Sequence, residues 1–167
     1  MINYNLGCGE EIIDGYINID NANLKKIKGK YVRGDITTFN YEFADLFLLD
    51  NVIEHFSFED VSKLLIRLKS FLKPDGKIII VVPDFKYVTE VICKLSPDTL
   101  FSGNVWAKYC LLGTQDKIED YHRSFYTPQI LSYICTNIGF KILSFNTFVY
   151  KKHGGYHLKI ILGHNNV

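Results

Sequence analysis

Two glycines and a carboxylate near the start of the chain have the spacing needed to hold a nucleoside. Leu6-Gly7-Cys8-Gly9 follows one apolar run, and Asp20 closes the next. A strand ending in a Gly-x-Gly turn lets backbone pass where a Cβ would collide with a ligand. A carboxylate at the tip of the neighbouring strand can accept hydrogen bonds from two ribose hydroxyls. Taken alone, the glycines also fit a plain tight turn, and Asp20 a solvated strand end. Further along, Asp50-Asn51 ends another apolar run and His55 follows it, while His122-Arg123-Ser124-Phe125-Tyr126 comes much later. Histidine can take up a proton near neutral pH, which suits His55 and His122 to general-base work. Each also reads as a structural histidine, His55 capping the loop before one helix and His122 lying in the loop before another. Glu54 reads as a positioning carboxylate that orients His55 or a nearby amide.

The elements that must carry these residues alternate between strand and helix. Residues 2–6 and 16–20 read as strands, and residues 9–15 between them are too few for a crossover helix. A short helix is expected over residues 23–27 and a short strand over 31–33. Residues 44–49 form an apolar run that suits a buried strand ending at Asp50. Apolar residues at 61, 64, 65, 68, 71 and 72 predict an amphipathic helix over 58–72, with Ser57 as cap and Asp60 in its first turn. Lys73-Pro74-Asp75-Gly76 is expected to stop it. The β-branched run 77–82 predicts a central strand. Thr127 caps a further helix with Pro128 at its first position, and Gly139 ends it. Residues 140–149 and 156–162 read as strands joined through His153-Gly154-Gly155. This order implies a mostly parallel sheet closed by one antiparallel strand.

Composition sets the bounds. A chain of 167 residues, 47% hydrophobic and 22% charged, fits a single globular domain with a real core. A net charge of +1 provides no field to steer polyanions. The clusters Lys25, Lys26, Lys28, Lys30 and Lys151, Lys152 read as solvated faces, so the sequence argues against a nucleic-acid partner. Cys8, Cys93, Cys110 and Cys135 are far apart with no CxxC pair, which favours reduced thiols in a cytoplasmic protein. His153, His157 and His164 read as a sheet surface, and no metal is expected. No apolar run is long enough to span a bilayer, and a chain that starts almost directly on a strand leaves no room for a leader.

Several motifs follow one another in order along nearly the whole chain. They are Leu6-Gly7-Cys8-Gly9, Gly15-Tyr16-Ile17-Asn18-Ile19-Asp20, Gly34-Asp35-Ile36, Asp50-Asn51-Val52-Ile53-Glu54-His55, Leu72-Lys73-Pro74-Asp75-Gly76 and His122-Arg123-Ser124-Phe125-Tyr126. Each is weak alone, but the ordered set resembles the class I S-adenosylmethionine-dependent methyltransferases of the small bacterial type. The resemblance implies an α/β, Rossmann-like fold. That fold has a mostly parallel sheet of about seven strands, an antiparallel C-terminal hairpin strand and helices on both faces. It implies S-adenosylmethionine as cofactor, with Leu6, Gly7, Cys8 and Gly9 in the turn under its methionine part. Asp20, beside Asn21, would clamp the ribose. Asp35 and Ile36 would face the adenine, and Asp50 and Asn51 the methionine ammonium or carboxylate. In-line methyl transfer to a hydroxyl or amine of a sugar or other metabolite follows, with His55 as base and His122 as the second catalytic residue. Arg123, Tyr126 and Trp106 would touch this small-molecule acceptor. A non-catalytic cofactor-binding subunit is the competing reading.

The chain also departs from the family pattern. The third glycine and the full helix after strand one are missing, and Glu10 and Glu11 follow Gly9 directly. A dinucleotide site needs a helix N-terminus against its pyrophosphate, which two carboxylates would repel. A cofactor with a cationic sulfonium and no phosphate tolerates them. Helices ahead of strand one, which cover the pocket in larger relatives, are absent from this sequence. Residues 84–126, rich in Phe, Tyr and Trp, are therefore expected to form a partly helical lid, a homodimer interface, or both.

Overall fold

The computed structural model describes residues 1–24, 29–102, 106–151 and 155–165, the side chains of residues 101 and 102 excepted. Lys25, Lys26, Lys28, Lys152, His153 and Gly154 lie outside the described residues, as do most of the helix expected over 23–27 and the side chain of Phe101. The strands are β1 (Asn3–Leu6), β2 (Ile17–Asp20), β3 (Val32–Arg33), β4 (Ala44–Asp50), β5 (Leu72–Pro83), β6 (Phe140–Val149) and β7 (Tyr156–His164). The helices are α1 (Phe58–Ser70), α2 (Phe85–Ile92), α3 (Pro97–Ser102), α4 (Trp106–Leu112) and α5 (Pro128–Asn137). Among the described residues the strands form one seven-stranded sheet in the order β3-β2-β1-β4-β5-β7-β6. β7 runs antiparallel to β5 and β6, and the other strands are parallel.

Strand alternation puts Tyr4, Leu6, Phe47, Leu49, Ile78 and Ile80 on one face, where they are buried under α1 and α5. α1 starts where Ser57 Oγ accepts the Asp60 backbone N–H at 3.1 Å, and it buries Val61, Leu64, Leu65 and Leu68. Thr127 caps α5 in the same way through the Ile130 N–H. Lys69 Nζ donates to the carbonyls of Ile138 and Gly139, joining the C-terminal ends of the two helices. On the opposite face Leu48, Ile79 and Ile161 are only half-buried.

One local outcome differs from the sequence expectation. α1 ends at Ser70, and Leu72 already pairs with Ala44. The stretch expected to stop the helix instead lies inside β5, where the register shifts between Ala44 and Leu46. A bulge there accommodates Pro74, which cannot donate to a regular ladder.

The link from β1 to β2 contains no crossover helix, as its length implies. A buried amide pair holds it. Asn5 Nδ2 donates to Asn18 Oδ1 at 2.9 Å and to the Glu11 carbonyl at 2.7 Å. Asn18 Oδ1 also accepts the Ile13 N–H, while its Nδ2 donates to the carbonyls of Ile13, Tyr16 and Lys30. Backbone groups that a helix would satisfy internally are satisfied here by two side chains.

Residues 84–126 leave and return to the sheet at one point. Phe85 N–H donates to the Tyr126 carbonyl at 2.9 Å, next to a parallel bridge between Asp84 and Tyr126. Asp84 caps α2 through the Lys86 N–H, and α2 packs against α4.

Candidate functional site

The Gly-x-Gly turn is built on positive φ angles, +62° at Gly7 and +49° at Gly9. A Cβ at Gly7 would sit 2.8 Å from Val52 Cγ2, so the turn packs directly on the segment after β4. A Cβ at Gly9 would meet nothing within 4 Å. Asp20 fixes this turn. Its Oδ2 accepts the Gly9 N–H and its Oδ1 the Ala22 N–H, both at 2.8 Å. Cys8 is buried, and burial with the nearby Asp20 charge pushes its thiol up to about 11. Asp35 closes an Asx turn on Thr37 at the surface, and Ile36 beside it is buried. The Leu6 side chain is wholly in the core, and Asn21 is exposed.

At the tip of β4 the chain turns through Asn51, whose φ is +54°. Asn51 Nδ2 donates to Asp50 Oδ1 at 2.8 Å, which fixes the amide orientation. Its Oδ1 is then the acceptor for His157 Nε2 at 2.9 Å. Tyr150 stacks on the His157 ring at a centroid distance of 4.4 Å. Burial, followed by the Asp50 charge, pushes the Tyr150 hydroxyl up to about 12. His157 is 1% exposed, which corrects its reading as a sheet-surface residue. Because β7 is antiparallel, its N-terminal end lies where β4 and β5 finish, and His157 pairs with Pro83 there.

A 3-10 turn, Ile53–His55, follows. It brings Glu54 and His55 to His122. The His55 and His122 rings meet edge to face at 4.8 Å. His122 Nδ1 donates to the Cys110 carbonyl at 2.9 Å, leaving Nε2 with its lone pair. Burial and the neighbouring His55 hold His122 down at about 4, and burial lowers His55 as well. Glu54 is 2% exposed, neither of its carboxylate oxygens has a partner, and burial pushes it up to about 8. Its backbone carbonyl accepts the N–H groups of Arg123 and Ser124, which ties the 3-10 turn to the end of the 84–126 segment.

Asn51, Glu54, His55, Cys110, His122 and His157 border an open cleft of about 920 Å³, which the Gly7–Gly9 turn and Asp20 do not line. Of the residues given a role from sequence, Asn51, Glu54, His55, Trp106 and His122 line it. Trp106 is held by Tyr87, which stacks on it at 5.9 Å. Tyr126 and Arg123 do not line the cleft. Tyr126 is 1% exposed in the core, with its hydroxyl shared between Ser124 and the Ile53 carbonyl, and Arg123 is exposed. The acceptor contact that the resemblance implies for Tyr126 is thereby corrected: next to its parallel bridge with Asp84 the side chain is buried in the core. The sequence reading also missed Tyr150, His157 and Cys110 as neighbours of the site. No local spacing signals them, since they converge only when the antiparallel hairpin and α4 pack beside β4.

A family model described as a methyltransferase domain matches residues 6–80. No curated protein sequence matches the chain. Among solved structures, the 1,6-didemethyltoxoflavin-N1-methyltransferase of Burkholderia thailandensis is similar over 96% of this chain and 69% of its own, at 13% identity and a TM-score of 0.66. A SAM-dependent methyltransferase of Methanosarcina mazei is similar over 97% of this chain and 91% of its own, at 14% identity and 0.66. Human N-acetylserotonin methyltransferase is similar over 98% and 47%, at 16% identity and 0.60. The matched methyltransferase-domain model over residues 6–80, the sheet order and the ordered motifs agree: the chain has the Rossmann-like fold of the S-adenosylmethionine-dependent methyltransferases it is similar to.

Proposed function

We propose that this chain methylates a hydroxyl or amine of a small molecule, a sugar or other metabolite, with Gly7, Gly9, Asp20, Asn21, Asp35, Ile36, Asp50 and Asn51 holding the cofactor. The observation that carries the reading is the cleft of about 920 Å³, where the β4 tip meets two neutral histidines. The residues present suit the cofactor. Gly9 faces open space, and Asp20 spends one backbone N–H on each oxygen and keeps lone pairs for further donors. Leu6 and Cys8, with buried side chains, contribute backbone only. Glu10 and Glu11 next to the turn favour a cationic ligand over a diphosphate.

When bound, the cofactor supplies a methyl group on an already activated sulfonium. The chain therefore has to align the acceptor and take its proton. His122 Nε2 and the His55 ring border the cleft and are neutral at pH 7, the state a base requires. Trp106 and Tyr109 supply flat walls from the 84–126 segment, which acts as the lid of a single methyltransferase domain and keeps water from the site. Exposed Leu112, Ile118 and Tyr121 on that lid support a homodimer, and the four free cysteines support a cytoplasmic location. Among the described residues no helix is long and apolar enough to cross a membrane.

The test is a thermal-shift series with S-adenosylmethionine, its demethylated product and NAD, followed by product formation over a panel of hydroxyl and amine acceptors. The reading expects stabilisation by the first two ligands and turnover with at least one acceptor. A shift with NAD alone would overturn it. Cofactor binding with no turnover across the panel would favour the non-catalytic subunit.

A further inference from the structure

Glu54, His55 and His122 form the most unusual side-chain cluster among the described residues. One ligand-capable atom from each lies within 4.8 Å of the others. Glu54 is almost wholly buried and both its oxygens lack partners. An orphaned buried carboxylate is costly, and native folds rarely retain one without something to satisfy it. His55 Nδ1 is likewise buried without a partner. His122 presents Nε2 because its Nδ1–H is spent on the Cys110 carbonyl, the outer hydrogen bond that metal-bound histidines usually make. Beside the cluster a void of about 10 Å³, the size of one small sphere, is bounded in part by Glu54, Cys110 and His122, while His55 borders the adjoining cleft. The cleft reaches all three side chains and provides an entry path.

We propose that Glu54, His55 and His122 bind a single divalent transition ion of the zinc class, with its open coordination positions facing the cleft. Two imidazoles and one carboxylate match the three-protein-ligand sets of zinc sites that keep a position free. The same nitrogen content disfavours magnesium. Binding at about 2.1 Å needs a ligand pair at the 4.8 Å limit to close to roughly 3.4 Å, about 0.7 Å of inward movement by each partner. Resting on the methyltransferase reading, the ion takes over from the two histidines as the group that activates the acceptor: the histidines ligate it, and its role is to take the oxygen of an acceptor hydroxyl. There it lowers that hydroxyl's pKa, so that the proton leaves to cleft water and the oxygen stays as the nucleophile. The acceptor class is thereby narrowed to compounds with a hydroxyl able to ligate a metal.

The experiment is calorimetric titration of the untagged, chelator-treated full chain with zinc chloride and, separately, magnesium chloride. Cobalt absorption spectra report coordination, and S-adenosylmethionine affinity is measured in parallel. One zinc per chain is expected, with binding at least tenfold tighter than magnesium and visible cobalt bands. Glu54→Gln and His122→Asn should each lose more than the ~10–100-fold that removal of an outer partner costs. Both should retain their circular dichroism and cofactor affinity. No saturable zinc binding below millimolar, or equal binding by both variants, overturns the site and leaves a buried water as occupant of the void. Zinc binding by a parent chain that ignores S-adenosylmethionine supports the site and overturns its role in methyl transfer.

Discussion

The Asp20 carboxylate accepts the backbone N–H of Gly9 at 2.8 Å, joining the tip of β2 to the turn after β1. Its second oxygen accepts the Ala22 N–H. One side chain therefore shapes the glycine turn and presents charge at the same edge. Asp20→Ala should lower cofactor affinity by ~1–3 kcal/mol and global stability by a similar amount, the usual cost of lost charged hydrogen bonds. Calorimetry and urea unfolding measure the two effects. Unchanged affinity with reduced stability would confine Asp20 to shaping the turn.

His55→Ala and His122→Ala should each slow turnover by roughly 10²–10⁴ while cofactor affinity stays within a few-fold. Single-turnover product formation checks this. The two losses should not add in the double variant, because the rings are in contact.

Asn18→Ala removes the acceptor for the Ile13 N–H, the donor to the Ile13 and Tyr16 carbonyls in the loop that replaces a helix, and the donor to the Lys30 carbonyl ahead of β3. Its partners would be left partly unsatisfied, at a cost of about 2–4 kcal/mol. Chemical denaturation should show this loss. The effect of Asn5→Ala should be strongly coupled to it through the Asn5–Asn18 bond.

Thiol labelling should single out Cys93, the exposed cysteine. Burial pushes Cys8 and Cys110 up to about 11 and Cys135 up to about 12. Their thiolate populations at neutral pH are correspondingly small. A disulfide-exchange reagent should modify one thiol quickly and the others only on unfolding.

The Lys73 ammonium, 2.8 Å from Asp45 Oδ2, and the Ile2 N–H hold the Asp45 carboxyl below the usual carboxylate range. With the folded pKa depressed, the ionised pair stabilises the fold above the unfolded value. That contribution is lost as pH falls through the folded value. Asp45→Asn should flatten this part of the acid limb in unfolding curves taken from pH 7 downward. The change should shrink in high salt, since the pair is partly exposed.

Much of the scaffold is legible residue by residue. Ser57 and Thr127 cap the helices they are expected to cap. The apolar spacing of 61, 64, 65 and 68 gives the buried stripe of α1. β-branched density marks β5 as central. The limits are equally specific. Lys73–Gly76 reads as a helix stop because local rules see Pro and Gly, and only pairing with β4 turns it into bulged strand. Tyr126 reads as an acceptor contact, but beside its bridge to Asp84 it is buried in the core.

The sequence by itself determined the elements, the glycine turn, the carboxylate at the β2 tip and the family resemblance, because caps, periodicity and turn chemistry act over a few residues. Only the tertiary structure decided that Glu54, His55 and His122 share one buried corner and that His157 grips Asn51. Those contacts join segments remote in the chain. Their proximity comes from the order and direction of strands in the sheet, and no local spacing encodes it.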